Sequence, residues 1–201
     1  SPSITRMQSG RLLVSYEWFR PKPFKEAVPN STEIMGSEDD GLNWSLTSYQ
    51  DFIWATIWAY ETDTYLIGNQ RQSRDIIIGR SRDGGLTWEG PIKLFEGKYH
   101  CAPTPVLIHN GHAYRAFETC DAPSRFDWKS LVVAGDLSRD LLDPGAWRMS
   151  NHVRFPGIPD VLSQRMYPES LEEKVPADSF LEGNVVLVNG NIRMIMRTIV
   201  D

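Results

Sequence analysis

The hydrophobic and polar positions form short apolar runs separated by Gly, Asn, Asp and Pro, with no long stretch at helical spacing. The runs are RLLVSYEW (11–18), YLIGNQ (65–70), DIIIGR (75–80), PVLIHN (105–110), HAYRAF (112–117), SLVVAG (130–135), NVVLVN (184–189) and NIRMIM (191–196). Each has the length and residue types of a β-strand, and the even spacing predicts an all-β chain. Asn110-Gly111 and Asn189-Gly190 mark tight hairpins within that pattern.

Two segments repeat. SEDDGLNW (37–44) and SRDGGLTW (81–88) share Ser, Asp, Gly and Trp at matching places, 44 residues apart. A period of about 40–50 residues with four short strands is that of a propeller blade. Within the motif, Asp39 and Asp83 are placed to accept turn N–H groups, and Gly41 and Gly85 to take positive φ. Trp44 and Trp88 can fold back as packing anchors.

This pair of segments resembles the Asp-box, the repeat of the sialidase-like β-propellers. The resemblance covers most of the chain and implies four-stranded blades, six in the usual ring. It also assigns Ser37, Asp39, Gly41, Trp44, Ser81, Asp83, Gly85 and Trp88 to architecture, on the face away from the active site. The expected blades are 1–48, 49–96, 97–153 and 154–201 in a single domain. Only the first two strands of the fourth are expected, starting near Leu181. In the third, DLSRDLLDPGAW (136–147) stands where the motif would be, with Trp147 in place of its Trp. Three and a half blades leave open edges, so the expectation is further blades or something covering the partial ring.

Propeller topology puts the approaches to strand one, and the loops from strand two to three, on the functional face. Counting seven residues on from each inner-hairpin turn gives Glu17, Gln70, Glu118 and Arg197. These four polar residues end apolar strands beside the mouth. The approaches to strand one add His100 and Glu182, and Arg71 lies in the QRQSR loop (70–74). Of Trp54 and Trp58, which open the second blade, one is a candidate stacking platform, with core packing as the other reading, and Tyr99 is a weaker candidate. Residues 154–180 and 21–30 read as a lid or subsite wall on the same face.

The resemblance implies a glycosidase, though SPSITR (1–6) stands where sialidases carry an Arg-Ile-Pro segment. Glu182 and Glu118 are the expected acid/base pair, with His100 assisting. Arg71, Arg197, Glu17, Gln70 and Trp54 are expected to hold an acidic or hydroxylated sugar. A polysaccharide lyase using His100, and a non-catalytic glycan-binding propeller, are the alternatives. No cofactor is expected. The four histidines and two cysteines lack metal-site spacing.

Composition narrows this picture little further. The 201 residues carry a net charge of −5, against nucleic-acid binding, and no apolar run approaches a membrane span. The family resemblance implies a secreted or periplasmic location, whereas cysteine usage leaves the redox compartment open. A two-residue loop at Asn110-Gly111 would set Cys101 opposite Cys120 in geometry poor for a disulfide. It would also put Pro103 and Pro105 where N–H donors are wanted. A four-residue loop (109–112) removes both objections, so a bridge and two free thiols both stay open.

Overall fold

The computed structural model describes residues 2–17, 32–71, 73–121, 128–156 and 177–200. The expected wall segment 21–30, and residues 157–176 of the longer one, lie outside them.

Four antiparallel sheets follow one another along the chain. The first holds β1 (Ser3–Arg6), β2 (Leu12–Glu17), β3 (Thr32–Ser37) and β4 (Ser45–Gln50). The second holds β5 (Ile53–Tyr60), β6 (Asp63–Asn69), β7 (Ile76–Ser81) and β8 (Glu89–Phe95). In the third, β9 (Tyr99–His100) and β10 (Leu107–His109) both pair with β11 (His112–Thr119). Its outer strands are β12 (Lys129–Asp136), β13 (Trp147–Met149) and β14 (Val153–Arg154). The fourth is the hairpin of β15 (Ala177–Val188) and β16 (Asn191–Val200). Strands are in meander order; β1 and β2 meet β5, β11 meets β15, and the second and third sheets share a hydrophobic core. This is the β-propeller arrangement, with four-stranded blades. No α-helix occurs among the described residues; a single 3-10 turn spans Pro144–Ala146.

Burial on both faces explains the unbroken apolar runs of the second blade. Ile76 and Ile78 join a core with Phe117, Leu131 and Val133 of the third blade. Ile77 and Leu66 point the other way, to Leu13 and Ile34 of the first. A strand buried on both sides loses the alternating pattern of a half-exposed one.

The two Ser-to-Trp turns have one hydrogen-bond pattern. Ser37 Oγ accepts from Gly41 N at 2.9 Å, and Asp39 accepts from Asn43 N at 2.8 Å. Ser81 Oγ accepts from Gly85 N at 2.8 Å, and Asp83 from Thr87 N at 2.9 Å. Trp44 and Trp88 each return an indole N–H to the carbonyl of Gly41 or Gly85. Both glycines have φ near +90°, where a Cβ is strained. In the third blade Trp147 does the same with Leu141 O, at 2.9 Å. That segment is tied back by Asp140, which accepts from Arg80 of β7 at 2.9 Å.

The hairpin at Asn110-Gly111 has a two-residue loop, since His109 pairs with His112. This overturns the four-residue alternative. The two prolines are tolerated because the first strand breaks into β9 and β10 around them. Both cysteines are free. Cys101 is buried and donates to Asn69 Oδ1 and Trp54 O, at 3.3 and 3.2 Å. Burial pushes its thiol pKa up to about 12. Cys120 instead accepts from Arg74 Nη1 at 3.3 Å.

Candidate functional site

The register places Glu17, Asn69, Glu118 and Arg197 at equivalent second-strand ends. Asn69 pairs with Ile53, Glu118 with His100 and Arg197 with Leu181. Gln70 is therefore one residue out of place. The second blade turns at Glu61-Thr62, so Thr62 occupies the place that Gly111 and Gly190 hold elsewhere. No glycine marks that turn, and counting from Asp63 slips the register by one. The Gln70 side chain instead accepts from Ser73 Oγ within its own loop.

These strand ends form a repeated joint. After Ile53 in β5 and after Leu181 in β15 the ladder shifts register, bulging out Trp54-Ala55 and Glu182-Gly183. Trp54 and Glu182 have φ of +52° and +56°, a conformation that non-glycine residues hold only when their surroundings impose it. The surroundings are the preceding blade. Glu17 Oε1 accepts from Ala55 N at 3.2 Å, and Glu118 Oε1 from Gly183 N at 3.0 Å. Asn69 contacts the matching place in blade three through Cys101.

Glu118 is fully buried, and its other oxygen, Oε2, meets His100 Nδ1 at 3.0 Å. Both carboxylate oxygens are therefore engaged, one by His100 and one by Gly183. Its geometry is that of a residue that orients His100. A carboxylate only accepts, so Nδ1 carries the proton and Nε2 of a neutral ring is the acceptor. No hydrogen bond from Nε2 forms among the described residues. The ring sits between Trp54, centroid separation 4.4 Å, and Trp128, 5.2 Å. Trp54 also carries the Arg74 guanidinium over its ring at 5.1 Å.

Glu182 and Arg197 face each other from β15 and β16, with Arg197 Nη1 at 3.1 and 3.0 Å from the two carboxylate oxygens. Both side chains reach solvent, at 39% and 60% exposure, so the pair is open to exchange a partner for a ligand. On the first-blade side, burial raises the Glu17 pKa above its ordinary value, opposed by the Ala55 N–H bond and, more weakly, by the Arg71 charge. Trp58 stacks on Tyr65 at 4.7 Å, and both Trp58 and Tyr99 are buried in the core between blades two and three.

The sequence thus located His100, Glu118, Glu182, Arg197 and Glu17 at this face. It missed Asn69, Trp128, Arg74 and Thr104. An Asn at a strand end and a Thr between prolines carry no motif. Among the described residues, no group of His, Cys, Asp and Glu is arranged to hold a metal ion.

No protein-family model matches the chain, and no curated protein matches it by sequence. Solved structures do match its fold. The α-L-arabinofuranosidase of Lactobacillus brevis aligns over 98% of this chain and 64% of its own, at 13% identity and a TM-score of 0.64. The α-L-arabinanase of Penicillium chrysogenum, solved with arabinobiose, aligns over 98% and 56% at 17% identity, TM-score 0.59. A Hadza microbial sialidase aligns over 98% and 41% at 15% identity, TM-score 0.63. The chain spans less than two thirds of each of these, and at such identities the likeness is one of fold.

Proposed function

We propose that this protein is a glycoside hydrolase whose site lies on the face opposite the Ser-to-Trp turns. The observation that carries the reading is the solvent-reaching Glu182–Arg197 pair beside a histidine oriented by a buried carboxylate and flanked by two tryptophans. Its structural neighbours include an arabinofuranosidase, an arabinanase and a sialidase, which supports a glycan as substrate. We read the two Ser-to-Trp turns as Asp-boxes, on their shared hydrogen bonds, and residues 1–201 as one sialidase-like propeller domain.

In this reading Glu182 provides the carboxylate that acts at the glycosidic bond, and Arg197 opposes its charge until substrate arrives. His100 moves a proton through Nε2, and Glu118 holds the ring for it. Glu17 and Arg71 bind the sugar from the first-blade side. Gln70 lies at the same rim. Trp54 contributes the exposed part of its ring as a stacking surface. Where two carboxyls do the work, a separation of about 5–5.5 Å gives retention and one of about 6.5–9.5 Å gives inversion.

The test is a panel of fluorogenic glycosides, α-L-arabinofuranoside, β-D-xyloside and α-sialoside, with arabino-oligosaccharides. Wild type should release product and Glu182→Gln should lose at least a hundredfold. Equal rates in the two remove Glu182 from the reaction. Binding without turnover by wild type favours a glycan-binding propeller. The oriented His100 also favours a second reading, proton abstraction by a polysaccharide lyase. That reaction yields unsaturated products absorbing in the ultraviolet.

A further inference from the structure

We propose that Thr104 is a positioning residue for Glu182, an inference that rests on the glycosidase reading above. Glu182 sits in a left-handed conformation that its own side chain does not favour. What holds it there is a clamp on the next peptide. Gly183 N donates to Glu118 Oε1 at 3.0 Å, and Gly183 O accepts from Thr104 Oγ1, also at 3.0 Å. One blade thus grips both polar groups of Gly183, through two different segments.

Thr104 is itself braced. It stands between Pro103 and Pro105, whose rings fix φ on either side. Its N–H donates to Ala102 O at 2.7 Å, and its carbonyl accepts from Thr56 Oγ1 of β5 at 2.9 Å. Its hydroxyl oxygen receives Arg115 Nη1 at 3.1 Å. Arg115 is fully buried and binds no carboxylate among the described residues. Its other bonds go to Ala102 O at 2.7 Å and Ala116 O at 2.9 Å. With Arg115 donating to Oγ1, the Thr104 hydroxyl proton is directed to Gly183 O. A buried guanidinium spent on backbone carbonyls is costly, and here its result is a strap that links blades two, three and four at the mouth.

The clamp accounts for how a non-glycine residue holds a positive-φ position here.

The experiment compares Thr104→Val, which keeps shape and removes the hydroxyl, with Thr104→Ser, which keeps the hydroxyl, on the glycoside that wild type turns over fastest. The expected result is a kcat fall of about 10–100-fold in Thr104→Val, with KM changed less than threefold and thermal unfolding still cooperative. Thr104→Ser should recover to within about threefold of wild type. Wild-type kcat in Thr104→Val, with Glu182→Gln inactive, overturns this inference and leaves the glycosidase reading standing. An equal fall in both Thr104 variants also overturns it. Full activity in Glu182→Gln overturns the reading itself. The carbonyl ¹³C shift of Gly183, the group that Thr104 donates to, then judges the clamp alone: a change in Thr104→Val that Thr104→Ser restores supports it, and equal shifts in all three proteins overturn it.

Discussion

Replacing Glu118 by glutamine separates what this residue does for the fold from what it does for His100. The carboxylate makes two bonds of 3.0 Å, to Gly183 N and to His100 Nδ1, with no exposed surface. A carboxamide of the same shape can make both, with its oxygen accepting from Gly183 and its NH2 donating to Nδ1. Charge-assisted bonds are worth ~1.5–3 kcal/mol and neutral ones ~0.5–1.5, so the exchange loses about 2–3 kcal/mol over the pair. Removing a buried charge returns several kcal/mol of desolvation cost, which offsets that loss. The net change in stability should stay within about 1 kcal/mol, whereas Glu118→Ala, leaving Gly183 N unsatisfied beside a cavity, should lose ~3–5 kcal/mol. The chemistry should change much more than the stability. An NH2 facing Nδ1 turns that nitrogen into an acceptor and moves the ring proton to Nε2, which then no longer accepts one. Positioned acid–base groups contribute about 10²–10⁴-fold, and turnover should fall by that order. Urea unfolding measures the first effect, and long-range ¹H–¹⁵N spectra of the imidazole read the tautomer. Wild-type turnover together with an Nε2-protonated ring would refute the proton-transfer role of His100. An unchanged Nδ1 proton would refute the tautomer argument itself.

Other outcomes follow from the same contacts. Glu182→Gly should abolish turnover while raising stability by up to ~1 kcal/mol, since glycine adopts φ of +56° without a Cβ penalty; a loss of stability in chemical denaturation contradicts the strain argument. Glu17 has its folded pKa raised above 4.5. The fold therefore binds this proton more tightly than the unfolded chain, and Glu17 costs stability as pH rises through that folded value. Glu17→Gln should be more stable than wild type at pH 7, with the gap closing as pH falls toward 4.5. A gap that is the same at both ends excludes the linkage. Gly85→Ala puts a Cβ at φ +88° and 3.4 Å from Ile34 Cγ2, and should cost ~1–2 kcal/mol. In calorimetry that corresponds to a Tm drop of about 2–8 °C.

How far the sequence reached can be stated residue by residue. Turn chemistry and apolar runs are local, so the strands, the Asn-Gly hairpins and the paired Ser-to-Trp turns were legible from neighbours a few positions apart. Repetition of a local motif at blade spacing then implied the propeller, and its topology sent the search to one face, where His100, Glu118, Glu182 and Arg197 lie. Three features depend on residues distant in the chain and had no signature. The second oxygen of Glu118 is taken up by Gly183, 65 residues on, a contact no local pattern announces. Asn69, not Gln70, ends its strand equivalently because register is set by pairing across the hairpin, and the turn at Glu61-Thr62 does so without glycine. Thr104 acquires a role only where three blades converge on it. Period and turn residues decide which way strands run, since both are properties of the chain itself. Which polar atoms satisfy one another is decided only when sheets pack, because a buried donor takes the acceptor that packing brings within 3 Å.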